Sequence, residues 1–323
     1  MRKFIISFIL FLAPVFLLSY FTDRFISANL KKSTTYTGGE YTVWNDILEG
    51  NVNSEILIYG SSRAWVHIDP NLLSDQLGKT AYNVGIDGHN FWLQYLRHLL
   101  VLKSNVKPKY IIVSLDIFTL EKVRELYNAD QFLPYMYNEP LFEEYLKSYV
   151  GFTWIDFHMP LMRYRGRSSS MLHACKLYME GTLQEAGRVN GYQGMNKEWN
   201  SDLENALKKV GHYEIKIDTP SLKLFQEFIE GCQKDHIALL FVYSPEYVEG
   251  QKFVKNRKDI MDLYTALSTT YSIPFYDFSN DSISYDKAKF YNASHLNMEG
   301  SRDFTIKLAD QIIANGWMNA YIE

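Results

Sequence analysis

The sequence predicts a three-layer α/β/α sandwich, with a mainly parallel five-stranded sheet between helices and an N-terminal transmembrane helix ahead of it. Three observations predict this. Short apolar runs rich in β-branched residues alternate with longer stretches of helical spacing. The short runs lack the apolar–polar alternation of a half-exposed sheet, which implies burial on both faces and parallel pairing. An uncharged, mostly apolar run of 18 residues, Phe4 to Phe21, opens the chain behind Arg2 and Lys3.

That first run is just long enough to cross a bilayer core of roughly 30 Å as a helix, and Pro14 inside it is tolerable in lipid. Its end, Ser19-Tyr20-Phe21-Thr22-Asp23-Arg24, offers no small-x-small cleavage site, so a retained anchor over 1–22 is expected in preference to a cleaved signal. Basic residues ahead of the span place its start in the cytoplasm and the rest outside, although Arg24, Lys31 and Lys32 beyond the span act against that asymmetry. The polar stretch that follows is expected to be a stalk over 23–50.

The globular part is expected over 51–323. Glu55-Ile56-Leu57-Ile58-Tyr59, stopped by Gly60, reads as the first strand, and Asn71 to Leu77 as a helix. Thr80 to Val84 is the second strand, with a helix over Phe91 to Lys103. Tyr110 to Leu115 is the most strand-like segment of the chain. The same character returns at Ile237 to Tyr243 after a helix over Leu222 to Lys234, and again at Ile273 to Tyr276 after Asp259 to Tyr271. Such alternation argues for a flavodoxin-like sheet with right-handed crossovers. It is interrupted at about 119–219, a stretch rich in Tyr, Trp and Met with helical patches at Leu141 to Tyr149 and Ser170 to Glu180; a helical cap over the sheet's C-terminal edge is expected there.

Composition narrows the function. An apolar content of 47% with 15% aromatic residues builds a sizeable core, and a formal charge of −4 without basic clusters argues against nucleic acid as a partner. The 2 cysteines, Cys175 and Cys232, are too few for a disulfide framework, though one bridge between them is left open. Neither a phosphate-binding loop nor a dinucleotide fingerprint occurs, and no cofactor is expected. His67, His98, His158, His173, His212 and His236 lack the spacing of metal ligands, and no metal is expected.

Three short segments carry candidate chemistry. In Gly60-Ser61-Ser62-Arg63 a serine follows the first buried strand, at the mouth of the sheet, with its own N–H directed where an oxyanion would form; alone, this reads more readily as a capped turn. Tyr291-Asn292-Ala293-Ser294-His295 precedes a C-terminal helix, which returns His295 to the same edge as a candidate general base. Asn83-Val84-Gly85-Ile86-Asp87-Gly88-His89-Asn90 follows the second strand, and the Gly88 N–H is a candidate second oxyanion donor.

In this order the three segments resemble the SGNH/GDSL hydrolase superfamily. The resemblance implies Ser62 as nucleophile, with Ser61 standing where that family has Asp. It implies Ser62 and Gly88 as oxyanion hole, and Asn292-x-x-His295 as the counterpart of its Asp-x-x-His block. The single span, the Gly-Ser-Ser motif and the insertion are most similar to extracytoplasmic members that act on cell-envelope polymers, such as the teichoic-acid D-alanylation and alginate O-acetylation proteins. Implied partners are an acylated polysaccharide or envelope polymer and a membrane O-acyltransferase. The sequence departs from the pattern in two places. The third strand runs out as Ser114-Leu115-Asp116-Ile117-Phe118 with no Asn, so that the hole either rests on two backbone N–H groups or is completed by His89, Asn90 or Arg63. Asn292 stands where an Asp is expected, so Asp116, Asp277 and Asp281 are candidate substitute carboxylates, with a dyad as the other possibility. Glu246 also falls at the site edge but reads as a turn residue, and Trp65 is a candidate for stacking on a sugar. The expected activity is that of a serine esterase or O-acyltransferase; the alternative is a non-catalytic module of the same fold that binds glycan or assists assembly.

Overall fold

The computed structural model describes residues 1–88, 90–181 and 187–320. In chain order its helices are α1 (Arg2–Leu30), α2 (Glu40–Glu49), α3 (Ser62–His67), α4 (Pro70–Leu77), α5 (Phe91–Ser104), α6 (Pro140–Leu146), α7 (Trp154–His158), α8 (Ser168–Glu180), α9 (Asp202–Val210), α10 (Thr219–Lys234), α11 (Val248–Gln251), α12 (Arg257–Tyr271) and α13 (Met298–Ala314). Its strands are β1 (Ile56–Gly60), β2 (Ala81–Asn83), β3 (Tyr110–Leu115), β4 (Ala238–Tyr243), β5 (Phe275–Asp277), β6 (Phe290–Asn292) and β7 (His295–Leu296). The chain divides into two compact units: Met1–Asn45 with Val123–Gly187, and Asp46–Lys122 with Arg188–Glu323.

The second unit holds a five-stranded, wholly parallel sheet in the order β2-β1-β3-β4-β5, the flavodoxin-like order. Every residue of β1 and β3 is buried, as their unbroken apolar runs require. Side chains alternate between faces. Ile56, Ile58, Ile112, Leu240 and Val242 pack with Leu73, Phe304 and Leu308 of α4 and α13. On the other face Tyr59 and Phe241 meet the α10 rings of Phe228 and Phe225, against which Phe91 of α5 is also packed. These two helical layers and the sheet are the expected sandwich. Strand order turns back between β1 and β3, the kind of switch point at whose carboxyl ends open α/β sheets bind their ligands.

Residues 188–200, expected inside the cap, run without helix along the second unit. Asn83 N–H donates to Asn190 O at 2.9 Å, Met298 N–H to Met195 O at 2.9 Å and Asn200 N–H to Tyr291 O at 2.9 Å. Residues 123–187 group instead with the N-terminal segment.

In that first unit the expected stalk is replaced by packed structure. Helix α1 runs past its apolar stretch to Leu30, and Ile26, Leu30, Tyr41, Val43 and Trp44 are buried. The polar residues that suggested a linker are paired: Ser27 Oγ lies 2.8 Å from the Tyr164 hydroxyl, Tyr36 OH donates to Asp130 at 3.1 Å, and Trp44 Nε1 donates to Gln131 at 3.0 Å. The part of α1 ahead of Asp23 is long and apolar enough to cross a membrane. Cys175 is exposed and Cys232 buried, and both are free thiols.

Candidate active site

Ser62 opens α3 immediately beyond β1, and the backbone there is set by Gly60. Its φ of +149° is a region that favours glycine, and a Cβ would lie 2.7 Å from Ser114 O and 2.8 Å from the Ala64 Cβ. The chain thereby turns tightly enough to lay α3 across the strand end. Ser61 caps α3, accepting from Arg63 N–H at 3.3 Å while its hydroxyl donates to Asp116. Fully buried Asn83 fixes the opposite side: its amide donates to Ala64 O at 2.8 Å and Ile68 O at 3.0 Å, and its oxygen accepts from Gly85 N–H at 3.0 Å. Gly85 allows this approach, because a Cβ there would meet the Ala64 Cβ at 2.9 Å and Trp65 N at 3.0 Å.

His295 arrives from far along the chain on the short antiparallel pair β6–β7. Its Nε2 lies 2.8 Å from Ser62 Oγ, and its Nδ1 lies 3.0 Å from Asn292 Oδ1 and 3.1 Å from Ser294 Oγ. Asn292 Oδ1 also accepts the backbone N–H groups of Ser294 and His295, at 3.1 and 2.9 Å. This identifies that atom as oxygen, so Nδ1 carries the imidazole proton and Nε2 presents its lone pair to the Ser62 hydroxyl. Burial, then the positive charge of Arg63, hold the imidazole's pKa at about 3, with Lys197 acting in the same direction and Asp202 opposing. Neutral His295 is therefore the resting form. The Tyr291 ring stacks on it at 5.4 Å, and Lys197 lies 5.6 Å above that ring.

The remaining sequence candidates divide. Gly88 sits exposed in a left-handed turn with φ +70°, and among the described residues neither its N–H nor that of Ser62 makes another hydrogen bond. His89 lies outside the described residues. Asn90 is tied to Glu121 O through its side-chain amide. Buried Arg63 donates to Ser244 O at 2.6 Å and stacks 4.6 Å from the Tyr243 ring, which holds the end of β4. The proposed substitute carboxylates are engaged elsewhere: Asp116 with Ser61 and the Phe118 N–H, exposed Asp277 with the Ser279 N–H, and Asp281 with Lys307. Glu246 accepts from the Tyr243 hydroxyl at 2.9 Å, and Trp65 lies under the Arg188 guanidinium at 3.9 Å.

Sequence reasoning missed His67, which it set aside with the histidines that lack metal-ligand spacing. His67 Nε2 accepts the Leu296 N–H at 3.0 Å, so its Nδ1 donates to Ser244 Oγ at 2.8 Å. This clamp grips the residue next to His295. Its position five residues after Ser62, on the same helix, is the only sequence signal for it. An open cleft of about 510 Å³, lined by Lys197, Trp199, Lys287, Phe290 and Asn297, lies along the β6–β7 segment.

The chain matches no protein-family model and no curated protein. Among solved structures it is similar to one described as a lipolytic protein of the G-D-S-L family from Desulfitobacterium hafniense DCB-2, at TM-score 0.40 and 11% identity, covering 80% of this chain and 99% of that one. A structure described as a platelet activating factor from Streptococcus pneumonia matches at TM-score 0.41 and 12% identity, covering 95% and 98%. An acetyl xylan esterase matches at TM-score 0.39 and 13% identity, covering 80% and 98%.

Proposed function

We propose that this chain is a serine-dependent ester hydrolase or acyltransferase of SGNH type. The observation that carries the reading is the 2.8 Å contact between Ser62 Oγ and His295 Nε2 across 233 residues of sequence. Ser62 Oγ attacks the ester carbonyl as His295 Nε2 takes its proton, and the N–H groups of Ser62 and Gly88 receive the oxyanion. The imidazolium returns the proton to the departing alkoxide, leaving an acyl-Ser62. Water or a sugar hydroxyl, deprotonated by His295, then takes the acyl group and restores the serine. Asn292 fixes the tautomer and orientation of the ring without lending it charge.

The acyl donor or acceptor in this proposal is an O-acetylated polysaccharide of the envelope or an exported glycan. The cleft along β6–β7 supports it, since Trp199 and Phe290 give it ring surface and Lys197, Lys287 and Asn297 give it donors for sugar hydroxyls. Helix α1 is proposed as a retained anchor with its start in the cytoplasm, which would keep the enzyme beside such a polymer and beside a membrane O-acyltransferase.

A second reading, a non-catalytic glycan-binding or assembly module, is favoured by neutral Asn292 together with the absence of Asp116, Asp277 and Asp281 from the imidazole. A fluorophosphonate probe separates the two. Under the enzymatic reading it labels Ser62, located by peptide mass spectrometry, and the label disappears in Ser62→Ala and falls sharply in His295→Ala. A folded chain that takes no label supports the module.

A further inference from the structure

We infer that the rim of the first unit is seated in the headgroup layer of the bilayer crossed by α1, with Phe25, Tyr178 and Met179 against lipid. The inference rests on the reading of α1 as a retained anchor. Because an α-helix rises 1.5 Å per residue, each packing contact on α1 reports a depth. The Tyr137 ring packs edge-on to Tyr20 at 6.4 Å, and the Arg24 guanidinium lies 5.2 Å from the Tyr20 ring and 5.7 Å from that of Tyr137. Tyr20 belongs to the last turn of the apolar run, so the globular unit touches α1 at the depth where aromatic belts occur.

The contact is a clamp rather than a tether. Asp23, just beyond the run, is buried, accepts the Leu161 N–H at 2.8 Å and pairs with buried Arg163 at 2.7 Å. Helix α8 runs back along α1: His173 meets Ser33 at 3.1 Å, and the Tyr178 ring meets Phe25 at 5.0 Å. Following α8 forward therefore leads towards the span. Its last turn leaves Tyr178 and Met179 65% and 76% exposed beside half-exposed Phe25, while Lys176 and Glu180 on that turn face one another at 3.8 Å.

Single exposed apolar residues are ordinary on a soluble surface. These three share one depth and continue the bare apolar surface of the span. Lipid is the occupant this continuity selects, and Arg24 at the same level suits the phosphate layer.

The test uses the full chain carrying Cys175→Ser, reconstituted in phosphatidylcholine–phosphatidylglycerol vesicles, with a nitroxide on Met179→Cys or on Leu172→Cys. Leu172 is exposed on the same helix, about 10 Å further from the span. The expected result is an oxygen-to-nickel-chelate accessibility ratio several-fold higher at 179 than at 172. Equal, water-like ratios in chain that resists alkaline extraction and keeps its N-terminus would overturn the inference while leaving the anchor intact. Loss of the chain on alkaline extraction, or of residues 1–22 by mass, removes the anchor and the seated rim with it.

Discussion

The Nδ1 of His295 lies 3.0 Å from the amide oxygen of Asn292, which also gathers the backbone N–H groups of Ser294 and His295. One neutral oxygen thus shapes the turn and fixes the imidazole tautomer. A carboxylate could accept the same three N–H groups and would add charge to the imidazolium formed in the transition state. Asn292→Asp is accordingly expected to raise kcat for ester hydrolysis by about 10-fold or more, with KM little changed. Steady-state kinetics check this, and a fall in kcat would show that the neutral amide is itself required.

The pH profile follows from the depressed imidazole. With a pKa of about 3, His295 stays unprotonated and able to accept a proton throughout the neutral and mildly acidic range. The expected kcat/KM is flat from about pH 8 down to about pH 5, whereas an unperturbed histidine would lose half its activity near pH 6.5. Asn292→Asp is expected to move the acid limb upward, because a carboxylate favours the protonated ring. An acid limb near neutrality in the unmodified protein would contradict the geometry.

Gly60 and Gly78 make a matched pair. Both have positive φ, but a Cβ at Gly60 meets Ser114 O at 2.7 Å, whereas one at Gly78 meets nothing within 4 Å. Gly78→Ala is expected to cost about 1 kcal/mol, from backbone strain alone. Gly60→Ala is expected to cost about 2 kcal/mol or more and to lower activity further, because the displaced backbone carries Ser62. Chemical denaturation with parallel esterase assays checks both.

Three imidazoles held below their ordinary pKa make stability depend on pH. Burial holds His67 well below its ordinary value, with Arg63 adding to the effect, and puts His98 at about 4 and His295 at about 3. The unfolded chain binds these protons more readily, so the stabilisation is complete above about pH 6.5 and drains away as pH falls towards those values. Each group contributes a slope of up to about 1.4 kcal/mol per pH unit. The melting temperature is expected to fall between about pH 7 and about pH 5, and less steeply in His98→Gln. A constant Tm over that window would contradict the burial.

The sheet was legible because its strands are buried on both faces: Ile56 to Tyr59 and Tyr110 to Leu115 have no other reason to be continuously apolar. The meeting of Ser62 with His295 was legible because the ends of such strands and the loop before the last helix converge on one edge. The stalk was misread because Ser33, Tyr36 and Asn45 look like linker residues until their partners, which lie 14 to 140 residues away, are known. Asp116 was named as a partner for the imidazole, yet whether it faced His295 or Ser61 depended on the turn after β3, which no spacing reveals. The His67 clamp escaped for the same reason, since its partners Ser244 and Leu296 come from two distant loops.

Hydrolysis of p-nitrophenyl acetate by the full chain in detergent reports whether Ser62 and His295 form a working nucleophile–base pair. The unmodified protein is expected to release nitrophenol, with a fall of about 1,000-fold or more, to background, in both Ser62→Ala and His295→Ala. Equal rates in all three folded proteins would rule the pair out.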